Sequence, residues 1–278
     1  MKLSLSVRIG EAPGSKEKTI RTLHQIGDLA AKTGYQAVCM RASQVGVHSP
    51  LNAITDARKV VLARHLAVSM ITGDFPIPIN NDAAPDALRN ITPYLDLATL
   101  LHSDLIRIGM KTDADIEWAQ RAADEARERG IRLAHQSHTQ SLFETVSESV
   151  QTLKRVGRPN FGIIYEAANL DVCGEPYGLD TLNRFQPYLF NVYVQNHRIK
   201  PDGVSSVRTW KCGLVRFDPI RLQDNGGIDY LMVLEALDRL GYTGYVTVHQ
   251  AFTEIMEPED AARESYDYLV SAGNYFTR

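Results

Sequence analysis

What this sequence lacks narrows its reading first. No apolar stretch approaches the ~20 residues that a membrane-spanning helix needs, so no membrane partner is expected. Cysteine is scarce: Cys39, Cys173 and Cys212 are far apart, odd in number and form no Cys-x-x-Cys, which argues against a disulfide framework or a thiolate zinc site. Acidic and basic residues nearly balance, 33 against 30, and no stretch concentrates Lys and Arg, so nucleic acid is not an expected partner. The opening run, Met1-Lys2-Leu3-Ser4-Leu5-Ser6-Val7-Arg8, is too short and too polar for a secretory leader, and the expected location is the cytoplasm. No Gly-x-Gly-x-x-Gly follows the first strand pattern, which removes the usual dinucleotide-binding signature.

What is present is a regular alternation. Residues 2–7 read Lys, Leu, Ser, Leu, Ser, Val, the period of a half-buried strand, and helical spacing follows over 16–32, closed by Gly34. Strand patterns recur at 35–41, 65–71, 105–110, 131–136, 161–166, 190–196 and 245–249. Between them lie helical patterns over 50–64, over 85–102 with a break near Pro93, and from a Thr112 cap to Gly130. A Ser141-x-x-Glu144 capping box opens another that ends near Gly157. A weakly marked helix is expected over 179–185, a clearer one over 228–240 and a last from Pro258. Eight strand-then-helix units of roughly thirty residues predict an α/β fold, a single-domain (β/α)8 TIM barrel over 1–278. A doubly wound sheet shares the alternation, but here polar residues end several strands instead of gathering at one switch point. Residues 197–225 are expected to form a long polar loop, of the kind that usually serves function.

In a closed barrel the carboxyl ends of all strands share one mouth. The apolar run Phe161-Gly162-Ile163-Ile164-Tyr165 ends abruptly in Glu166. Other strand ends bring Arg41, Asp74, Gln136, His138, Asn169, Gln195, Asn196, His197, His249 and Gln250 to the same place. Imidazoles, amides and one carboxylate suit a divalent cation (Mn2+, Mg2+ or Zn2+) or a polyhydroxylated ligand. Each has a plainer alternative: Glu166 in an ion pair with Arg198, His249 as a hydrogen-bonded residue of the barrel's upper layer, Asn196, His197 and Arg198 as the start of a solvated loop. Arg208, Trp210 and Lys211 either clamp a substrate and cover its apolar face or lie on the surface. Strand geometry sends His135 and His138 in different directions, and His138 is the one assigned to the site. Tyr266, Tyr268 and Tyr275 read as packing of the last helix or as a subunit contact in a homodimer or homotetramer.

The successions Ala134-His135-Gln136-Ser137-His138, Tyr165-Glu166-Ala167-Ala168-Asn169-Leu170, Val192-Tyr193-Val194-Gln195-Asn196-His197-Arg198, Gly226-Gly227-Ile228-Asp229-Tyr230 and the Gly241-Tyr242-Thr243-Gly244 entry to the last strand resemble the xylose isomerase-like TIM barrel superfamily. The resemblance implies a carbohydrate substrate, and isomerase or epimerase activity with a divalent metal held by carboxylates and a histidine from strands five to eight. Those positions fall on Gln136, Glu166, Tyr193 or nearby Asn196, and His249, and only Glu166 keeps the family's residue type. The implied metal site is therefore atypical, built on Glu166, His249 and Gln136. Catalysis is assigned to Glu166, His249 and His138, and substrate contact to Arg41, Gln136, Asn169, Asn196, His197, Arg198 and Trp210. The leading expectation is a sugar or sugar-derivative isomerase or epimerase. Its alternatives are a lyase or hydrolase on an oxidised sugar or glycoside, and a metal-free carbohydrate-binding barrel. A catalyst working through His249 would lose turnover below roughly pH 6.5, where an ordinary imidazole takes up a proton.

Overall fold

The computed structural model describes residues 1–250 and 256–277. In chain order its strands are β1 (Lys2–Ser6), β2 (Ala37–Arg41), β3 (Ala67–Thr72), β4 (Leu105–Ile108), β5 (Arg132–Gln136), β6 (Phe161–Glu166), β7 (Leu189–Val194), β8 (Asn196–Ile199), β9 (Ser205–Thr209), β10 (Gly213–Ile220) and β11 (Tyr245–Val248). The strands β1 to β7 pair in parallel, each with the next, and β11 closes the ring between β7 and β1, Leu3 opposite Val246. This is the (β/α)8 barrel that the alternation predicts, and no helix among the described residues is long and apolar enough to cross a membrane.

The strands are buried along almost their whole length because helices cover the outer face and the ring fills itself. One small cluster packs apart from the main core: Cys39, Met70, Leu105, Ala134, Ile164 and Tyr193, one residue from each of β2 to β7. The Tyr193 hydroxyl lies 3.3 Å from the Cys39 sulfur, so these side chains meet across the barrel interior. Outside the ring, Leu, Val, Ile and Ala of strands and helices form the large core.

Three boundaries differ from the sequence pattern, each for a local reason. The first helix starts at Leu23, not near residue 16: Thr22 Oγ1 accepts from Gln25 N while the Gln25 side chain accepts from Thr22 N. Residues 16–22 are thereby left outside the helix, and Lys16 with them. The helix Val146–Val156 is capped by Thr145 and Glu148. Glu144 instead accepts backbone N–H bonds from Gln140, Trp210 and Lys211, so the Ser141-x-x-Glu144 box is no cap. Most of the expected loop at 197–225 is an antiparallel sheet ordered β8-β10-β9, with exposed and half-buried residues alternating along β9 and β10. Its hairpin turns through Trp210, Lys211 and Cys212, and Gly213, which pairs with Thr209 just beyond them, has a φ of 70° that favours glycine.

The sheet is fastened to the barrel by Asn196. Its Nδ2 donates to Arg221 O (3.1 Å) and Leu222 O (3.2 Å), and its Oδ1 accepts from His197 N (2.9 Å) and Ile228 N (2.8 Å). Gly227 lies so close that a Cβ there would sit 2.3 Å from this oxygen, which explains one half of the Gly226-Gly227 pair. At the far end of the chain, Tyr266 meets Tyr35 edge-on at 5.2 Å and the Met1 ammonium donates to Tyr275 O, so these two tail tyrosines pack within the chain.

Asn196→Ala should lower stability by about 3 kcal/mol, since it removes several buried hydrogen bonds and orphans backbone carbonyls. Urea denaturation checks this, and a loss below about 0.5 kcal/mol, the net worth of one weak hydrogen bond, would mean that the amide is not the fastener.

Candidate functional site

Side chains on a strand alternate faces, so residues two places beyond the interior cluster face inward as well. Applied to β2 through β7, that rule gives Arg41, Thr72, Arg107, Gln136, Glu166 and Gln195, and His249 follows β11. The barrel's apolar plug thus changes within one layer into a polar floor.

Most of the charge on this floor is positive. A cavity of about 150 Å3 is lined by Arg8, Lys16, Arg41 and Arg107 together with Gln136, His138, Asn169, Gln195, Val207 and His249. Arg41 is compensated: its Nε donates to Glu11 Oε1 at 2.6 Å, its Nη2 to Glu11 Oε2 at 3.3 Å, and Ser43 Oγ also reaches Glu11. Arg8 donates from Nη1 to Gln195 Oε1 (2.9 Å) and His249 O (3.1 Å), neither a carboxylate. The Arg107 Nε is buried without a partner among the described residues. Burial lowers the pKa of both Arg8 and Arg107, and the charge of Arg41 lowers them further. The Arg8 guanidinium, followed by burial and Arg41, holds the Lys16 ammonium down to about 6.

Glu166 lies just behind this surface, fully buried. Its Oε2 accepts from Gln136 Nε2 and from Asn169 Nδ2 (3.0 Å), while its Oε1 and the Gln136 Oε1 are buried without partners among the described residues. Asn169 Nδ2 also reaches Ser137 O at 2.8 Å. Burial raises the Glu166 carboxyl pKa, and the Gln136 hydrogen bond and the Arg8 charge oppose the rise. Among the described residues no ion pair joins Glu166 to Arg198, whose guanidinium donates to Asn225 O instead.

His249 is better placed for a ligand. Its Nδ1 is 3.2 Å from Ser6 Oγ, its ring stacks on Tyr193 with centroids 3.9 Å apart, and it lines the cavity. Burial and then the Arg8 and Arg41 charges keep its pKa well below 6.5, so the ring is neutral. His138 lines the same cavity, with Nδ1 3.1 Å from Thr139 O, and burial and Arg107 lower it to about 3. His135 turns away, as alternation predicts, and stacks on Phe143 at 4.2 Å.

A second cavity of about 280 Å3 shares Arg8, Lys16, Asn169, Gln195 and Val207 with the first and extends to His197, Phe217 and Pro219 of the small sheet. His197 meets Asp171 at 2.9 Å here. Asn196 borders this space, but its amide is fully used by backbone groups. Arg198 and Trp210 line neither cavity: the Arg198 guanidinium donates to Asn225 O, and Trp210 is 55% exposed at the hairpin tip. Asp74 is held by Tyr94 and by Ile77 N.

Strand alternation brings Arg41, Gln136, Glu166 and His249 together, but it does not weigh their charges. Arg107 is marked in the sequence only as a lone cation inside Leu105-Ile106-Arg107-Ile108. Arg8 follows the end of β1, and Lys16 lies in a stretch whose helical spacing does not point to the mouth.

The nominated metal ligands supply one carboxylate, one imidazole and one amide. Among the described residues no group of three or more His, Cys, Asp or Glu side chains could hold a metal ion. At the floor two orphaned acceptor oxygens among the described residues, on Glu166 and Gln136, invite a cation, and Arg8 and Arg107 already act on Glu166 by charge. With four basic side chains lining the space, a divalent ion would be repelled where few carboxylates answer it, so this donor set does not fit the metal.

Comparison with known proteins agrees with the architecture. The solved structure of the probable 3-DHS dehydratase AsbF of Bacillus anthracis superposes with a TM-score of 0.73 at 13% identity, covering 97% of this chain and 99% of that one. A xylose isomerase-like TIM barrel protein of Mycobacterium smegmatis, solved in complex with magnesium, gives 0.70 at 17% identity, covering 98% and 96%. The curated inosose dehydratase of Geobacillus thermodenitrificans is 25% identical over 166 residues, 59% of this chain and 53% of that protein. The match thus spans about half the length of that relative. The model of the xylose isomerase-like TIM barrel family matches residues 27–272, nearly the whole ring, and the chain belongs to that family.

Proposed function

We propose that the protein is an enzyme that removes a proton next to a carbonyl of a small sugar derivative, and that His249 is the base. The observation that carries this reading is the placement of His249: a neutral imidazole on the cavity wall, fixed by Ser6 and Tyr193, beside three guanidinium groups. The base takes the C–H proton, and the electron pair moves onto the carbonyl oxygen as an enediolate. Arg8 and Arg41, the two guanidinium groups whose charge acts most on His249, supply the positive charge that stabilises this oxygen, in a space where charge acts strongly. The imidazolium then returns its proton. Delivered to the neighbouring carbon, as the adjacent hydroxyl proton passes to the former carbonyl oxygen, it yields an isomer, whereas an epimer needs a proton from a second group on the opposite face. Delivered to a departing β-hydroxyl, it yields water and an unsaturated carbonyl compound.

The inosose dehydratases among the relatives and the 3-DHS dehydratase among the structures favour elimination of water over the isomerase or epimerase outcome. Gln136, Asn169 and Gln195 are the groups that would hold substrate hydroxyls, with Gln136 and Asn169 oriented by Glu166. Glu166 is in this reading a positioning residue. His138, which lines the same cavity, is the second group that could move a proton.

Incubating the protein with inososes, ketoses and dehydrated sugar acids in D2O, followed by NMR, tests the first step. Deuterium should enter recovered substrate or isomer, or a vinylic product should accumulate, and His249→Gln should slow either by about a hundredfold or more. Absence of exchange and elimination across the panel, or an unaffected His249→Gln variant, would overturn the proposal.

The depressed pKa of His249 reverses the pH expectation drawn from an ordinary imidazole. Because the free enzyme keeps this ring neutral well below 6.5, kcat/KM should hold between about pH 7 and pH 5.5, where an unperturbed imidazole base would lose about tenfold. A tenfold fall over that interval would remove His249 from the role.

A further inference from the structure

The charges around the deep cavity do not balance, and the imbalance identifies a ligand class. Four basic side chains line it, and two carboxylates stand nearby. Glu11 is taken up by Arg41 and Ser43, and Glu166 lies buried behind Gln136 and Asn169. That leaves Arg8, Arg107 and Lys16 without a carboxylate of their own among the described residues. Arg107 is 4% exposed, in no ion pair among the described residues, and its Nε has no partner there. A buried guanidinium without an anion is costly, and its planar fork matches the two oxygens of a carboxylate or phosphoryl group.

We propose that Arg8, Arg107 and Lys16 form an oxyanion subsite, and that the substrate carries a carboxylate or phosphoryl group which binds there. The inference deepens the proposed function by naming the substrate's charge, and it rests on that reading only for the word substrate. The cavity of about 150 Å3 is large enough for one such group, while the adjoining space of about 280 Å3 would take the hydroxylated remainder. Arg8, Lys16, Asn169 and Gln195 border both spaces, so a bound oxyanion would lie beside the amides that hold hydroxyls.

Lys16 supplies a readout that packing alone would not move. Arg8, Arg41 and Arg107 face it with positive charge and Glu11 with negative charge, while Glu17 and Lys18 flank it along the chain. Its ammonium is thereby held near 6, so a bound anion should return a proton to it.

The test is isothermal titration near pH 7 with inorganic phosphate, D-glucose 6-phosphate, D-gluconate and D-glucose, each in two buffers of different ionisation enthalpy. Phosphate and at least one of the two charged sugars should bind at least about tenfold more tightly than D-glucose, weakening with added salt and taking up protons. Arg107→Gln should weaken anion binding by about tenfold or more. Lys16→Met, outside any helix or strand, should abolish most of the proton uptake while the circular dichroism spectrum stays that of the parent. Tighter binding of glucose 6-phosphate assigns a phosphoryl group, and tighter binding of gluconate a carboxylate. Anions that bind no better than glucose, or an unchanged affinity in both variants, would overturn the subsite. Because binding is read without turnover, anion binding with no deuterium exchange would keep the subsite and remove the proton-transfer reading, and the converse result would do the opposite.

Discussion

A ring of parallel strands has a single interior, and every second side chain of every strand must go into it. This steric constraint governs the rest of the molecule. Where the inward residues are Cys39, Met70, Leu105, Ala134, Ile164 and Tyr193, they exclude water and hold the ring together. One pleat further along, the same geometry places guanidinium, amide and carboxylate groups on top of that plug. The site is the next layer of the core's own pattern, built from residues that cannot be packed dry.

Electrostatics follows from that layering. Water is scarce at the floor, so each cation acts on its neighbours more strongly than it would at the surface. Burial itself disfavours whichever form of a group is charged, so the two effects together move different groups in opposite directions. Lys16 and His249 lose affinity for protons, whereas the Glu166 carboxyl, buried at the same level, gains it. A mouth of this polarity favours a negatively charged or electron-rich guest, and the guest would in turn reset the proton affinities of the side chains around it.

Much of the architecture was legible in the sequence because it depends on local signals. Strand periodicity, glycine stops and the abrupt end of Phe161–Glu166 each describe a few adjacent residues, and the strand came out with those bounds. The errors occurred where one signal masked another. Polar residues at 16–22 carried helical spacing, yet the Thr22 and Gln25 cap starts the helix later. The stretch 197–225 looked irregular because a small sheet exposed on one face leaves only half of each strand's pattern apolar. Candidate residues at strand ends could be named, but pairing could not: nothing adjacent to Arg41 announces Glu11, and nothing near Arg107 announces that it lacks a counterpart. Such balances are set by residues dozens of positions apart.

The hairpin of β9 and β10 crosses the opening with Val207 and Phe217 on the cavity side. It is attached at both ends, at its base through Asn196 and at its tip through the Glu144 carboxylate, which takes the Trp210 and Lys211 amides. A span fixed at both supports cannot swing like a flap. Its side chains on the cavity side, Val207 and Phe217, are therefore part of a fixed wall above the floor.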